Sequence, residues 1–140
     1  MKLKEVQQLP LFPDIHIEPL DWDEIKLVPL SEDIHQVAQA NMSGDDYEVQ
    51  PLKMYPIHEL LDGVGQDYYA RNPQESKRVK ALAEQIKYNK WFEPLIIARM
   101  DIPGEDDEPW IVEGQHRARA VELFNTKVIP AYLIEYFETE

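Results

Sequence analysis

The longest periodic stretch of the chain lies between residues 72 and 91, where apolar side chains recur every three or four positions. That spacing is typical of an amphipathic helix, whose apolar stripe here consists of Val79, Leu82, Ala83 and Ile86. Pro73 suits a first helical turn, because the N–H group that proline lacks has no intrahelical partner there. The pattern predicts a helix that begins near Pro73 and ends around Asn89.

Shorter apolar runs predict strands on either side of this helix. The segment VQPLKMYPIHELL alternates and is bounded by prolines, which indicates a strand followed by a short turn or helix. The strands PLIIARM and WIVEG flank a hairpin-like loop, DIPGEDDEP, and KVIPAYLIEYF is the closing strand. A second helix is predicted in QHRARAVELFN, between the last two strands. Strands and helices in this order predict a mixed α/β or α+β fold.

The first part of the chain differs in composition from the rest. It is punctuated by prolines, and residues 1–50 hold three Lys against eleven Asp and Glu. One helix is predicted there in SEDIHQVAQAN, with Ser31 as its N-cap and Gly44 after its end. We therefore predict an acidic N-terminal extension over residues 1–47 and a folded domain over residues 48–140.

Charge and composition exclude several kinds of site. The 140-residue chain has a net charge of −13, which repels a phosphate backbone, so direct DNA binding is expected to be weak or local. It has no cysteine, which excludes disulfides, thiolate catalysis and Cys-based metal centres. No apolar run approaches the roughly 20 residues of a membrane-spanning helix, and no signal peptide is recognisable. We expect a cytoplasmic protein without membrane contacts.

A histidine and two arginines follow Gly114 in the stretch WIVEGQHRARAVELF. A glycine between a strand and a helix lets an anion approach the backbone, and the start of a helix presents N–H groups and a partial positive charge. Because His116 and Arg117 add donors in the first turn, the motif predicts a phosphate site. The alternative is a solvated surface helix. Arg119, farther along, is predicted to be a solvent or ion-pair residue.

Four segments in this order resemble the ParB/sulfiredoxin superfamily: LAEQI in the first predicted helix, EPLIIARM, EGQHRARA, and VIPAYLIEY at the end. The resemblance covers roughly residues 50–137, with PLKMYPIHEL in place of the family's first strand. It implies a mixed sheet with flanking helices. The spelling EGQHR is also similar to DGQHR-type members associated with bacterial DNA-modification systems.

The resemblance implies a site for CTP or ATP with Mg²⁺. The phosphate-binding residues that it implies are Arg78, Gly114, Gln115, His116 and Arg117. Sulfinic-acid reductase activity is excluded, because the catalytic cysteine of sulfiredoxins is replaced by Gln115 here. Nucleotide-binding ParB proteins usually have Glu and Arg where this chain has Gln115 and His116, so hydrolysis is left open. On the preceding helix, family contacts match Arg78, Ala81 and Gln85.

Glu113, directly before the glycine, is the candidate catalytic residue. The resemblance suggests that it acts as a base or holds Mg²⁺, as acidic residues do in relatives with kinase activity. The alternative is a strand-end carboxylate that is solvated or paired with a nearby Arg.

The basic residues of the helix predicted over residues 73–89 also have an alternative interpretation. They would then form the polar face of an amphipathic helix: Lys77, Arg78, Lys80 and Lys87.

The N-terminal segment QQLPLFPD resembles the Q-L-x-L-F peptide by which many bacterial replication and repair proteins bind the DNA polymerase sliding clamp. Its matching residues are Gln8, Leu9, Leu11 and Phe12. In this interpretation Leu11 and Phe12 enter an apolar pocket, while the neighbouring prolines keep the backbone extended. The alternative is that the same side chains dock on the domain's own core as an extra strand.

Three functions follow from these features. The leading hypothesis is a ParB-like nucleotide-binding domain in bacterial, plasmid or phage DNA metabolism, acting as an NTPase or as a nucleotide-gated switch. The second is a non-enzymatic adaptor or inhibitor that docks on the sliding clamp through QLPLF. The third is a ParB-like nuclease, against which the acidic charge and the lack of a clustered acidic metal site count.

Overall fold

The structure is a computed structural model that describes residues 18–60, 68, 71–101 and 108–137. Within these ranges the α-helices are α1 (Ile34–Asn41), α2 (Pro73–Asn89) and α3 (Gln115–Glu122). Two 3-10 helical turns cover Trp22–Glu24 and Ile57–Glu59. The strands are β1 (Lys26–Leu27), β2 (Asp46–Val49), β3 (Lys53–Pro56), β4 (Trp91–Phe92), β5 (Leu95–Asp101), β6 (Trp110–Glu113) and β7 (Val128–Phe137).

The main sheet is mixed and is organised around the long strand β7. Strand β5 runs parallel to β7 along one side, and β6 pairs antiparallel with the outer side of β5. On the other side of β7, β3 pairs with its first half and β2 with its second half, both antiparallel. Apart from this sheet, β1 and β4 form a short parallel pair. The α+β fold with a mixed sheet and flanking helices, predicted from the sequence, is confirmed.

Alternating side chains of the sheet separate two apolar cores. On one face, Leu95 and Ile97 of β5 pack with the buried sides of α2 and α3. On the other face, Ile96 and Ala98 pack with α1 through Ala38. Burying each large aliphatic side chain contributes roughly 1.5–3 kcal/mol, so covering both faces explains the near-continuous apolar run of β5. Helix α3 follows directly after β6, the edge strand of the sheet next to β5.

Local chemistry explains where the first two helices begin. Helix α2 has the predicted bounds, with Asn72 as N-cap and Pro73 in its first turn. In α1, the predicted N-cap Ser31 is wrong: Asp33 caps the helix by accepting a hydrogen bond from the His35 N–H. Ser31 is engaged elsewhere, because its N–H and hydroxyl both donate to the Glu93 carboxylate, at 3.0 and 2.9 Å.

The N-terminal part that the structure describes packs against the domain rather than lying apart from it. Strand β2 was not predicted, yet its residues Asp46–Val49 pair with the end of β7. The predicted boundary between residues 47 and 48 falls inside this strand. None of the helices that the structure describes is long and apolar enough to cross a membrane.

Candidate phosphate-binding site

Gly114 forms the turn between β6 and α3, and its backbone suits only glycine. Its φ is +107°, in the left-handed region that side chains rarely adopt. A Cβ atom there would also collide with Leu95 Cδ2 and lie 2.9 Å from Arg117 Nη2. The glycine therefore allows β6 to turn directly into α3.

An irregularity in the sheet sets the position of Glu113 just before this turn. Ile97 of β5 pairs with Ile111, whereas the preceding Ile96 pairs with Glu113, so Val112 is an extra residue in β6. A bulge of this kind bends the strand and redirects the side chains that follow it. Glu113 consequently borders two clefts, one beside α2 and one beside α1.

The cleft beside α2 has a volume of about 370 Å³ and lies between α2, the start of α3 and the β4 segment. It brings together the six residues predicted for phosphate binding and catalysis, and Gln85 also lines it, whereas Ala81 does not. The six are Arg78, Glu113, Gly114, Gln115, His116 and Arg117. The volume is within the roughly 300–1,000 Å³ of small-molecule sites.

Helix α3 begins at this cleft without a side-chain cap. Gly114 has no side chain to accept from the first-turn N–H groups, and the first turn holds no acidic residue. Such a helix end carries a partial positive charge and donors that an anion can satisfy. Gln115 turns its amide away from that role, since its Nε2 donates to the Ile111 carbonyl at 3.2 Å.

His116 and Arg117 are held by contacts on either side of the helix start. His116 Nε2 contacts the Glu75 carboxylate, which joins the first turn of α3 to the first turn of α2. Arg117 donates to the carbonyls of Glu93 at 2.9 Å and Pro94 at 3.0 Å. Burial lowers the pKa of Arg117, and the charges of nearby glutamates oppose that shift. Both side chains therefore help to fix the site as well as to line it.

Arg78 is the cation of α2 that faces the cleft. Its side chain is exposed, and it has no hydrogen bond or ion pair with any residue in the described part of the chain. Lys77, Lys80 and Lys87, which the sequence grouped with it, do not line this cleft. An exposed guanidinium at the mouth of a cleft is available to bind a planar or tetrahedral oxyanion.

Residues 38–140 match the ParB N-terminal domain. The chain belongs to the ParB N-terminal domain family. No curated protein matches it. The matched region begins inside α1 and includes all five strands of the main sheet and the whole cleft, so the resemblance predicted from EGQHRARA is confirmed at the level of the family.

In this ParB N-terminal domain, Glu113 has a carboxylate partner that the sequence did not reveal. Burial raises the pKa of Glu113, and a hydrogen bond to Glu32 and the charge of that residue raise it further. Arg117 acts in the opposite direction. Glu32 precedes α1 and is remote from Glu113 in the chain, so only the fold brings the two carboxyl groups together. A carboxyl group with a raised pKa beside a cleft is typical of functional sites.

Arg119 lies on the buried side of α3 in this ParB N-terminal domain. Arg119 is only 7% exposed and pairs with Glu122 at 2.6 Å, so it is an ion-pair residue rather than a solvated one. Among the described residues, no three His, Asp or Glu side chains form a group that could hold a metal ion. The segment QLPLF lies outside the described residues, so its binding to the sliding clamp stays a prediction.

Proposed function

We propose that this domain binds the phosphate groups of a nucleoside triphosphate, CTP or ATP, and serves DNA metabolism in a bacterium, plasmid or phage. The observation that carries the proposal is the uncapped start of α3, which opens at Gly114 onto the cleft. Membership of the ParB N-terminal domain family supports the same class of function.

The charge of the chain makes local recognition necessary. With a net charge of −13, the protein repels a triphosphate at long range, so attraction must come from groups inside the cleft. The first-turn N–H groups of α3 supply a partial positive charge, and Gly114 leaves them without a side-chain acceptor. The position that a Cβ of Gly114 would take is filled by Leu95 and Arg117. Arg78 adds a full charge from the opposite wall. Arg117 holds the glycine turn through the Glu93 and Pro94 carbonyls.

Mg²⁺ fits this proposal as a companion of the nucleotide. It usually binds proteins through one or two carboxylates together with substrate phosphates, where it neutralises phosphate charge. We assign the protein carboxylate to Glu113, which borders the cleft. Its raised pKa also suits the alternative role of a base that takes a proton from water during hydrolysis.

Calorimetric titration of CTP, ATP and GTP with Mg²⁺ tests the proposal. We expect saturable binding by the wild type and a loss of roughly tenfold to hundredfold in affinity for Arg78→Ala, since charge-assisted hydrogen bonds are removed. Arg78 is a better test than Arg117, whose replacement would also break two bonds to backbone carbonyls. Lys77→Ala is the matched control, because it removes an exposed charge from the same helix outside the cleft.

Two outcomes would contradict the proposal. One is the absence of saturable binding by any of the three nucleotides, and the other is an equal effect of Lys77→Ala and Arg78→Ala, which would indicate general electrostatic attraction. Phosphate release, measured in the same samples, separates the two forms of the hypothesis. Binding with release identifies an NTPase, whereas binding without release identifies a nucleotide-gated switch.

A further inference from the structure

Trp91 is an exposed aromatic side chain on the wall of the candidate cleft. It is 40% exposed, although the strand to which it belongs is joined directly to the core through Phe92, which is 1% exposed. An indole ring has a large apolar face and one polar N–H group, so its exposed part beside a cleft is available for contact with a ligand.

The backbone under Trp91 is held in place. Strand β4 pairs with β1, where Trp91 is opposite Lys26, and the Lys26 N–H donates to the Lys90 carbonyl at 2.9 Å. Lys90 ends α2 in the left-handed conformation, with φ of 58°, which turns the chain sharply into β4. The indole is therefore presented from a fixed strand.

Trp22 shows how an indole of this protein is held when it serves the fold. Its Nε1 donates to the Val128 carbonyl at 3.1 Å, and its ring packs edge-on against Phe92, with centroids 5.1 Å apart. Trp91 has no such hydrogen bond or ring contact with the residues that the structure describes. Instead it lines the cleft together with Leu82 of α2, forming an apolar wall.

We propose that Trp91 stacks against the nucleobase of the bound nucleotide, an inference that rests on the proposed nucleotide-binding function. The cleft has two chemically different parts, a polar one at the start of α3 and an apolar one at Leu82 and Trp91. A nucleotide has the same division between its phosphates and its base. Stacking tolerates any base because every base has a π-face, so Trp91 contributes affinity rather than base identity.

Inorganic tripolyphosphate separates the two parts of the cleft, because it carries the phosphates of a nucleotide without the base. We expect Trp91→Ala to weaken ATP and CTP binding roughly tenfold while leaving tripolyphosphate binding unchanged, both measured by calorimetry with Mg²⁺. Trp91→Phe should retain most of the nucleotide affinity, since it keeps an aromatic face. Tyr88→Ala is the control, because Tyr88 is 73% exposed nearby on α2 but lies outside the cleft.

The outcomes distinguish failure of the stacking proposal from failure of nucleotide binding. If Trp91→Ala weakens the binding of nucleotides and of tripolyphosphate equally, or weakens neither, the base does not stack on Trp91. If the wild type binds tripolyphosphate as tightly as ATP and CTP, the phosphate site stands and the stacking site is overturned. If the wild type binds no ligand, both proposals fail. Thermal unfolding of each variant checks that the domain is folded during the titrations.

Discussion

Helices α2 and α3 begin next to each other, since Glu75 in the first turn of α2 contacts His116 in the first turn of α3, but the two first turns are built in opposite ways. At α2, the Asn72 side chain accepts from the N–H groups of Gln74 and Glu75, both at 3.2 Å, and Pro73 removes another donor. The first turn of α2 also carries the acidic Glu75. At α3, the N-cap is Gly114, no side chain caps the helix, and the first turn holds no acidic residue.

The contrast shows how one physical feature serves two purposes. Every helix start has unpaired N–H donors and a partial positive charge. The first turn of α2 has its N–H donors satisfied by Asn72, which stabilises the helix and leaves no donor there for a ligand. The first-turn N–H donors of helix α3 have no side-chain acceptor and can bind a ligand in the cleft, which makes the start of α3 a candidate binding site. Glu75 links the two starts through His116, so the self-capped helix positions a side chain of the uncapped one.

The largest expected effect comes from giving the uncapped start a side chain. We expect Gly114→Ala to destabilise the domain by about 2–5 kcal/mol, because it combines a left-handed backbone with a collision against Leu95. Nucleotide binding should be lost even where the variant remains folded, since the turn must move. Urea denaturation and calorimetric titration measure the two effects.

Gly44 offers a matched control for that substitution. It also has positive φ, of +88°, but a Cβ built there would have no atom within 4 Å. Gly44→Ala should therefore lower the free energy of unfolding by only about 1 kcal/mol, because of backbone strain, and should leave the affinity for nucleotides unchanged. Equal losses of unfolding free energy in the two variants would show that the collision with Leu95 does not add to the destabilisation of Gly114→Ala.

A smaller effect is expected from removing the cap of the other helix. Asn72→Ala should destabilise the domain by about 1 kcal/mol, because two N–H groups of α2 lose their acceptor. Asn72→Asp should restore the stability, since an aspartate caps equally well. Nucleotide affinity should not change in either variant, as Asn72 does not line the cleft. A strong loss of affinity in Asn72→Ala would contradict the division between a stabilising start and a binding start.

Much of this architecture was predictable because its signals are local. Apolar spacing and a proline set the bounds of α2, and the strand–glycine–helix order of EGQHRARA placed Gly114, His116 and Arg117 together. Short strands escaped prediction: β1 and β4 have two residues each, and DYEV in β2 is defined by its pairing with β7.

The charged partners of the site were not predictable from the sequence. Glu75 contacts His116, and Glu93 accepts a hydrogen bond from Ser31. Both contacts exist only because the helices and the sheet bring distant parts of the chain together. Glu32 reaches Glu113 in the same way, from the turn before α1. Nothing in the spacing of these glutamates separates them from the many other acidic residues of a chain with 27 Asp and Glu.

The smallest expected effect concerns the carboxyl group that precedes the uncapped start. The pKa of Glu113 is raised above its ordinary value of 4.5, so the folded state binds a proton that the unfolded state has already released. Stability therefore falls as pH rises from about 4.5 through the folded pKa of Glu113. Glu113→Gln removes this pH-dependent loss. The free energy of unfolding of the variant should exceed that of the wild type by less than about 1 kcal/mol at neutral pH, and the two should be equal below about pH 4.5. Glu84→Gln, which removes one exposed carboxylate from α2, controls for the reduced net charge. An equal pH dependence of the two variants in urea denaturation would contradict a raised pKa of Glu113 in the folded state.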